Sequence, residues 1–116
     1  GGLEIYRRTN NLLSNLPNLE IEELDKLGDK VAQDTMGDAF QSLRFILSQL
    51  LTQIVKTKLI LNTPSDREVT NWINVWEETN TLFHKAESVN LDRKLVILNA
   101  FLEVAATARG CTTSIT

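Results

Sequence analysis

The sequence has few of the features that usually announce a chemistry. There is one cysteine, Cys111, and one histidine, His84. A lone thiol forms no internal disulfide, which suits a reducing compartment. As a nucleophile it would need a histidine and an orienting group beside it, and the sequence does not place His84 there, so Cys111 is read as a tail residue. No His/Cys cluster offers metal ligands. The glycines form no phosphate-cradling loop: the Gly1-Gly2 pair is followed by no Lys-Ser/Thr. Paired acids such as Glu22/Glu23 and Glu77/Glu78 are sequence neighbours, which do not face each other on a helix; they read as solvated surface. No enzymatic centre is nominated, and catalytic, cofactor and metal residues are all expected to be absent.

Other absences concern the setting. No apolar run approaches the roughly 18 residues of a membrane span, and no signal-peptide pattern is present. The chain opens without an initiator Met, so it is read as an excised piece of a longer protein. The net charge is −3, with 12 basic and 15 acidic residues, and there is no long basic run, a poor basis for direct nucleic-acid binding. One stretch differs. Between Asp38 and Asp66 there is no acid, while Arg44, Lys56 and Lys58 are basic; the plain reading is a solvated face, the other a weak DNA contact.

What is present is helical periodicity. The length of 116 residues and 42% apolar content suit one globular domain with a core of its own. The only prolines, Pro17 and Pro64, lie in polar breaks, and proline excludes helix from the residue before it. Between the breaks apolar residues recur at helical spacing, with no sustained alternation of the strand type. The expectation is an all-α bundle of about five helices over residues 1–109, with a disordered tail at 110–116.

The first helix, Leu3 to Leu16, is marked by Leu3, Tyr6, Leu13 and Leu16. The second, Ile21 to Gln33, carries acids where the helix dipole favours them and turns Ile21, Leu24, Leu27 and Val31 inward. Its Gly28 costs about 1 kcal/mol relative to Ala and would permit a close crossing. The third, Asp38 to Leu61, has a wide stripe of Phe40, Leu43, Leu47, Leu50 and Ile54, flanked by Ile46, Leu51 and Val55, suiting a helix with several neighbours. Its opposite face, Gln41, Ser48, Gln49, Thr52 and Gln53, is polar but largely uncharged, and Phe45 projects from it. A locally covered ring is one reading of Phe45; an interface anchor is the other, since interfaces favour aromatics and exclude charge.

The fourth helix starts near Asp66, with Ser65 or Asp66 as N-cap. Val69, Trp72, Trp76, Thr79, Phe83 and Ala86 form its stripe, and the tryptophan pair is read as core rather than a ligand platform. On that reading Trp76→Ala would cost about 3–5 kcal/mol. The fifth helix follows Val89-Asn90, with Asn90 as N-cap and Asp92 in the first turn. It has two apolar stripes, Leu91, Leu95, Leu98, Leu102 and Ala105, and Ile97, Phe101, Val104 and Ala108, with no charge from Leu95 to Leu102. The expected core is Trp72, Trp76, Phe83, Leu91, Leu95 and Leu98. The expected partner surface is Phe45, Gln49 and Thr52 with Ile97, Phe101 and Val104.

These residues carry a resemblance. Trp72-Ile73-Asn74-Val75-Trp76-Glu77-Glu78, then Leu82-Phe83, then Val89-Asn90-Leu91-Asp92-Arg93-Lys94-Leu95-Val96-Ile97-Leu98-Asn99-Ala100-Phe101-Leu102, resembles the C-terminal domain of the bacterial DNA polymerase III delta-prime family, most of all its alphaproteobacterial versions. Gly1-Gly2-Leu3-Glu4-Ile5-Tyr6 is similar to the point where that family leaves its ATPase-like domains, and Asp38-Ala39-Phe40 before a long helix is similar too. The likeness runs to about Arg109; Trp72 to Leu102 is its specific part.

The resemblance implies a collar domain. In that family, helical collars of five subunits form a ring that holds ATPase modules in a gapped circle, opens the sliding clamp and places it on primed DNA. Implied partners are the other clamp-loader subunits, delta and gamma/tau. The clamp and DNA would be reached only through upstream domains, and the parent would be a cytoplasmic, non-hydrolysing stator of the polymerase holoenzyme. The collar of another loader subunit, delta or tau, is the first alternative, and an unrelated helical adaptor is the second.

Overall fold

Five helices form, with Pro17 in the sequence between the first two and Pro64 in the sequence between the third and fourth: α1 (Gly2–Ser14), α2 (Ile21–Ala32), α3 (Asp38–Leu61), α4 (Asp66–Ser88) and α5 (Arg93–Arg109). They are seen in a computed structural model that describes residues 2–16, 18–34, 37–61, 66–89 and 92–109. The expected all-α class and helix count hold, and among the described residues there is no strand. The 110–116 tail with Cys111, both prolines, Ser65, Asn90 and Leu91 lie outside the described residues, as do the side chains of Lys58 and Asp66.

The helices pack as a bundle of 43 × 27 × 22 Å. Helix α3 touches α1, α2 and α4, while α5 packs on α2 and α4. The many neighbours of α3 account for its wide apolar stripe: Phe40, Leu43, Leu47, Leu50 and Leu51 are all buried, with Ile46, Ile54 and Val55 packed at the margin. Phe40 meets Phe83 of α4 at 4.8 Å between ring centroids, a tilted pair that adds to the area burial.

Helix α1 turns differently from expectation. Leu13 is buried, but Leu3 and Tyr6 are exposed, and the inward face is Ile5, Thr9 and Leu12. In α2, Leu24, Leu27 and Val31 are buried as expected, whereas Ile21 in its first turn is exposed. Ion pairs lace the outside of the α1–α2 seam: Lys30 to Glu4 at 3.1 Å and Arg8 to Glu23 at 3.9 Å. The Lys30 ammonium, as hydrogen-bond donor and as charge, holds the Glu4 carboxyl below the usual glutamate range.

Gly28 is the close crossing on α2. A Cβ there would lie 3.0 Å from Cγ of Lys94. The stem of Lys94 runs across the glycine, and its ammonium reaches Asp25 and Asp29, one turn apart, each at 2.8 Å. These carboxylates, Asp25 first, hold the Lys94 ammonium above the usual lysine range against a smaller opposing effect of burial. One lysine thus joins the start of α5 to the middle of α2.

The α2–α3 turn is fixed with equal economy. Gly37 adopts φ +83°, a region in which a side chain is strained. The Asp34 carboxylate accepts from the backbone N–H of Ala39 at 2.8 Å, serving a free donor at the start of α3. Arg93 donates to the Asp34 carbonyl at 3.1 Å and lies 5.7 Å over the Phe40 ring. At the N-terminus of α5 the cap is Asp92, whose Oδ1 accepts from the backbone of Lys94 at 3.0 Å and Leu95 at 3.4 Å. Asp92 was expected inside the first turn; it stands just before it.

Candidate interaction surface

Helix α5 decides which apolar residues are left for a partner, and it is rolled the other way from expectation. Ile97, Phe101 and Val104 are 0% exposed. They are wholly enclosed by this chain's own helices and present no side chain to a partner in this fold. Leu95, expected in the core, is 55% exposed, and Leu102 is 45% exposed; Leu98 is half-buried at the core's edge. The two stripes have exchanged roles. Both are apolar enough to be buried, and packing chooses between them. Val96 and Ala100 are buried beside the stripe holding Phe101, and Ala105 is the one described member of the other stripe that is fully buried with them.

Trp72 and Phe83 are core, as expected, with Val75 and Ala86 beside them. Trp76 is not: it is 38% exposed. Its indole lies over the seam between α4 and α3, where Nε1 donates to Ser48 Oγ at 3.1 Å. An indole has an apolar body and a polar edge, so a half-covered site with a hydroxyl partner satisfies both. The full loss expected for a buried aromatic therefore belongs to Phe83 rather than to Trp76.

The Trp76–Ser48 bond also locates the outer rows of α3 and α4 relative to one another. On α3 the row is Phe45, Ser48, Gln49 and Thr52, at spacings of three and four; on α4 it is Val69, Ile73, Trp76 and Asn80. None of these residues is charged. Phe45 is 63% exposed and Ile73 46% exposed, and Gln49 and Thr52 are exposed as expected. At one end the surface is bounded by Arg44, paired with Glu87 at 2.8 Å, and by Gln41, which bonds the same carboxylate. The result is a two-helix face with two exposed apolar side chains, the half-buried Val69, a tryptophan edge and uncharged polar groups, closed at one end by a self-neutralised ion pair. Arg44 is thereby withdrawn from the basic trio that a DNA contact would use, leaving the exposed Lys56 as its one member with a described free side chain.

Ile73 was not among the expected interface residues. The signal for it was present in the uncharged row Val69–Ile73–Trp76–Asn80, but it is visible only once Trp76 is known to sit at the surface.

Grooves lie elsewhere on the described surface, two of them against α3 and α4. One, of about 420 Å³, lies between α1 and α3 and is lined by Asn10, Leu13, Ser14, Leu50, Gln53, Ile54 and Thr57. The other, of about 510 Å³, lies between α4 and α5 and includes Glu77, Glu78, Lys85 and Glu103. Partial burial, and then the neighbouring Glu78, push the Glu103 carboxyl above the usual glutamate range. Among the described residues no group of three or more His, Cys, Asp or Glu is placed to hold a metal ion, and no helix is long and apolar enough to cross a membrane. No protein-family model, curated protein or solved structure matches the chain.

Proposed function

We propose that this chain is a helical association domain that binds other proteins through the uncharged α3–α4 face. The observation carrying the reading is that Phe45, Ile73 and the edge of Trp76 stand exposed on adjoining rows without a charge among them. Aromatic and apolar side chains surrounded by short polar groups are the composition of an interface centre, and the lack of charge removes the desolvation cost a partner would otherwise meet. Gln49 and Thr52 belong to this surface; Ile97, Phe101 and Val104 serve instead as the core that holds α5 in place.

The more specific reading is a clamp-loader collar of the delta-prime type, acting in the cytoplasm to hold loader subunits in the ring that places the sliding clamp on primed DNA. Its support is the resemblance of the Trp72–Leu102 stretch, together with a fold built of helices alone that keeps an outer face free. In this reading the domain has no reaction of its own, and the delta and gamma/tau subunits are its partners. Mixing the chain with purified loader subunits tests it directly. The domain is expected to co-elute with at least one of them. Failure to bind any, or a tight homodimer that excludes them, would overturn the collar assignment.

A further inference from the structure

No further inference is drawn: the strongest candidate, the groove between α4 and α5 that includes Glu77, Glu78 and Glu103, is an acidic cluster, and nothing in the structure shows what covers it.

Discussion

The roll of α5 can be tested by two substitutions on the same helix. Ile97→Ala and Leu95→Ala each delete three side-chain carbons, so the chemistry removed is nearly equal. Ile97 is 0% exposed and Leu95 is 55% exposed. At about 0.8 kcal/mol per buried methylene, the transfer loss at position 97 is roughly 2.4 kcal/mol. The cavity left among packed neighbours raises the expected total to about 2–5 kcal/mol. At position 95 less than half of the side chain is covered and solvent refills the space, so the expected loss is about 1 kcal/mol or less, offset slightly by the better helix propensity of alanine. Urea unfolding followed by far-UV circular dichroism separates the two. With a slope of roughly 1–3 kcal/mol/M, Ile97→Ala should lower the midpoint by about 1–2 M, while Leu95→Ala should move it by a few tenths. An equal or larger loss at Leu95 would mean that α5 packs through its other stripe, and the account of the buried and free surfaces would fail with it.

Three further outcomes follow from the packing and charge. Gly28→Ala should give no net stabilisation, because its Cβ meets the Lys94 stem at 3.0 Å; with Lys94→Ala as background it should become stabilising by about 1 kcal/mol, the usual gain over glycine in a helix, as read from a double-mutant cycle in urea. Gly37→Ala, forced to φ +83° with Arg93 only 3.2 Å from the new carbon, should cost about 1–2 kcal/mol, and an unchanged melting temperature would show that the turn relaxes freely. The folded-state pKa of Glu103 lies above its unfolded value, so its ionised form opposes folding, and that penalty disappears as pH falls through the folded pKa. Glu103→Gln should therefore raise the melting temperature at pH 7 and lose that advantage near pH 3; a gain that persisted in acid would point to a cause other than charge.

The residues show where sequence reading succeeds on such a chain. Helix existence was legible because prolines and polar breaks act locally, and the bounds expected for α3 coincide with Asp38–Leu61. The inward faces of α2, apart from Ile21 in its first turn, and of α3 were legible because each has one dominant apolar stripe. Helix α5 was not, because its circumference is apolar almost throughout and spacing alone ranks two stripes equally; the choice between them is made by tertiary packing. In α1 the buried position at Thr9 hid the true face, since a threonine reads as surface. Trp76 misled by size, being large enough to contribute to the core and still show an edge. For the proposed interaction surface, Phe45, Gln49 and Thr52 stand out in the sequence through the absence of charge around an aromatic, but the exposure of Ile73 beside them depends on the register of α4 against α3, a tertiary fact.

The central claim is that the α3–α4 face is where a partner sits. Phe45→Glu puts a charge on the most exposed apolar side chain of that face, at a position exposed enough to leave folding undisturbed, and Leu95→Glu puts one on the exposed side of α5. Binding of both variants and the parent chain to the isolated delta and gamma/tau subunits, measured by titration calorimetry, tests the claim most directly. The account predicts that Phe45→Glu melts like the parent but loses binding by at least tenfold, while Leu95→Glu binds unchanged. Undiminished affinity in the Phe45 variant, or loss confined to the Leu95 variant, would contradict it.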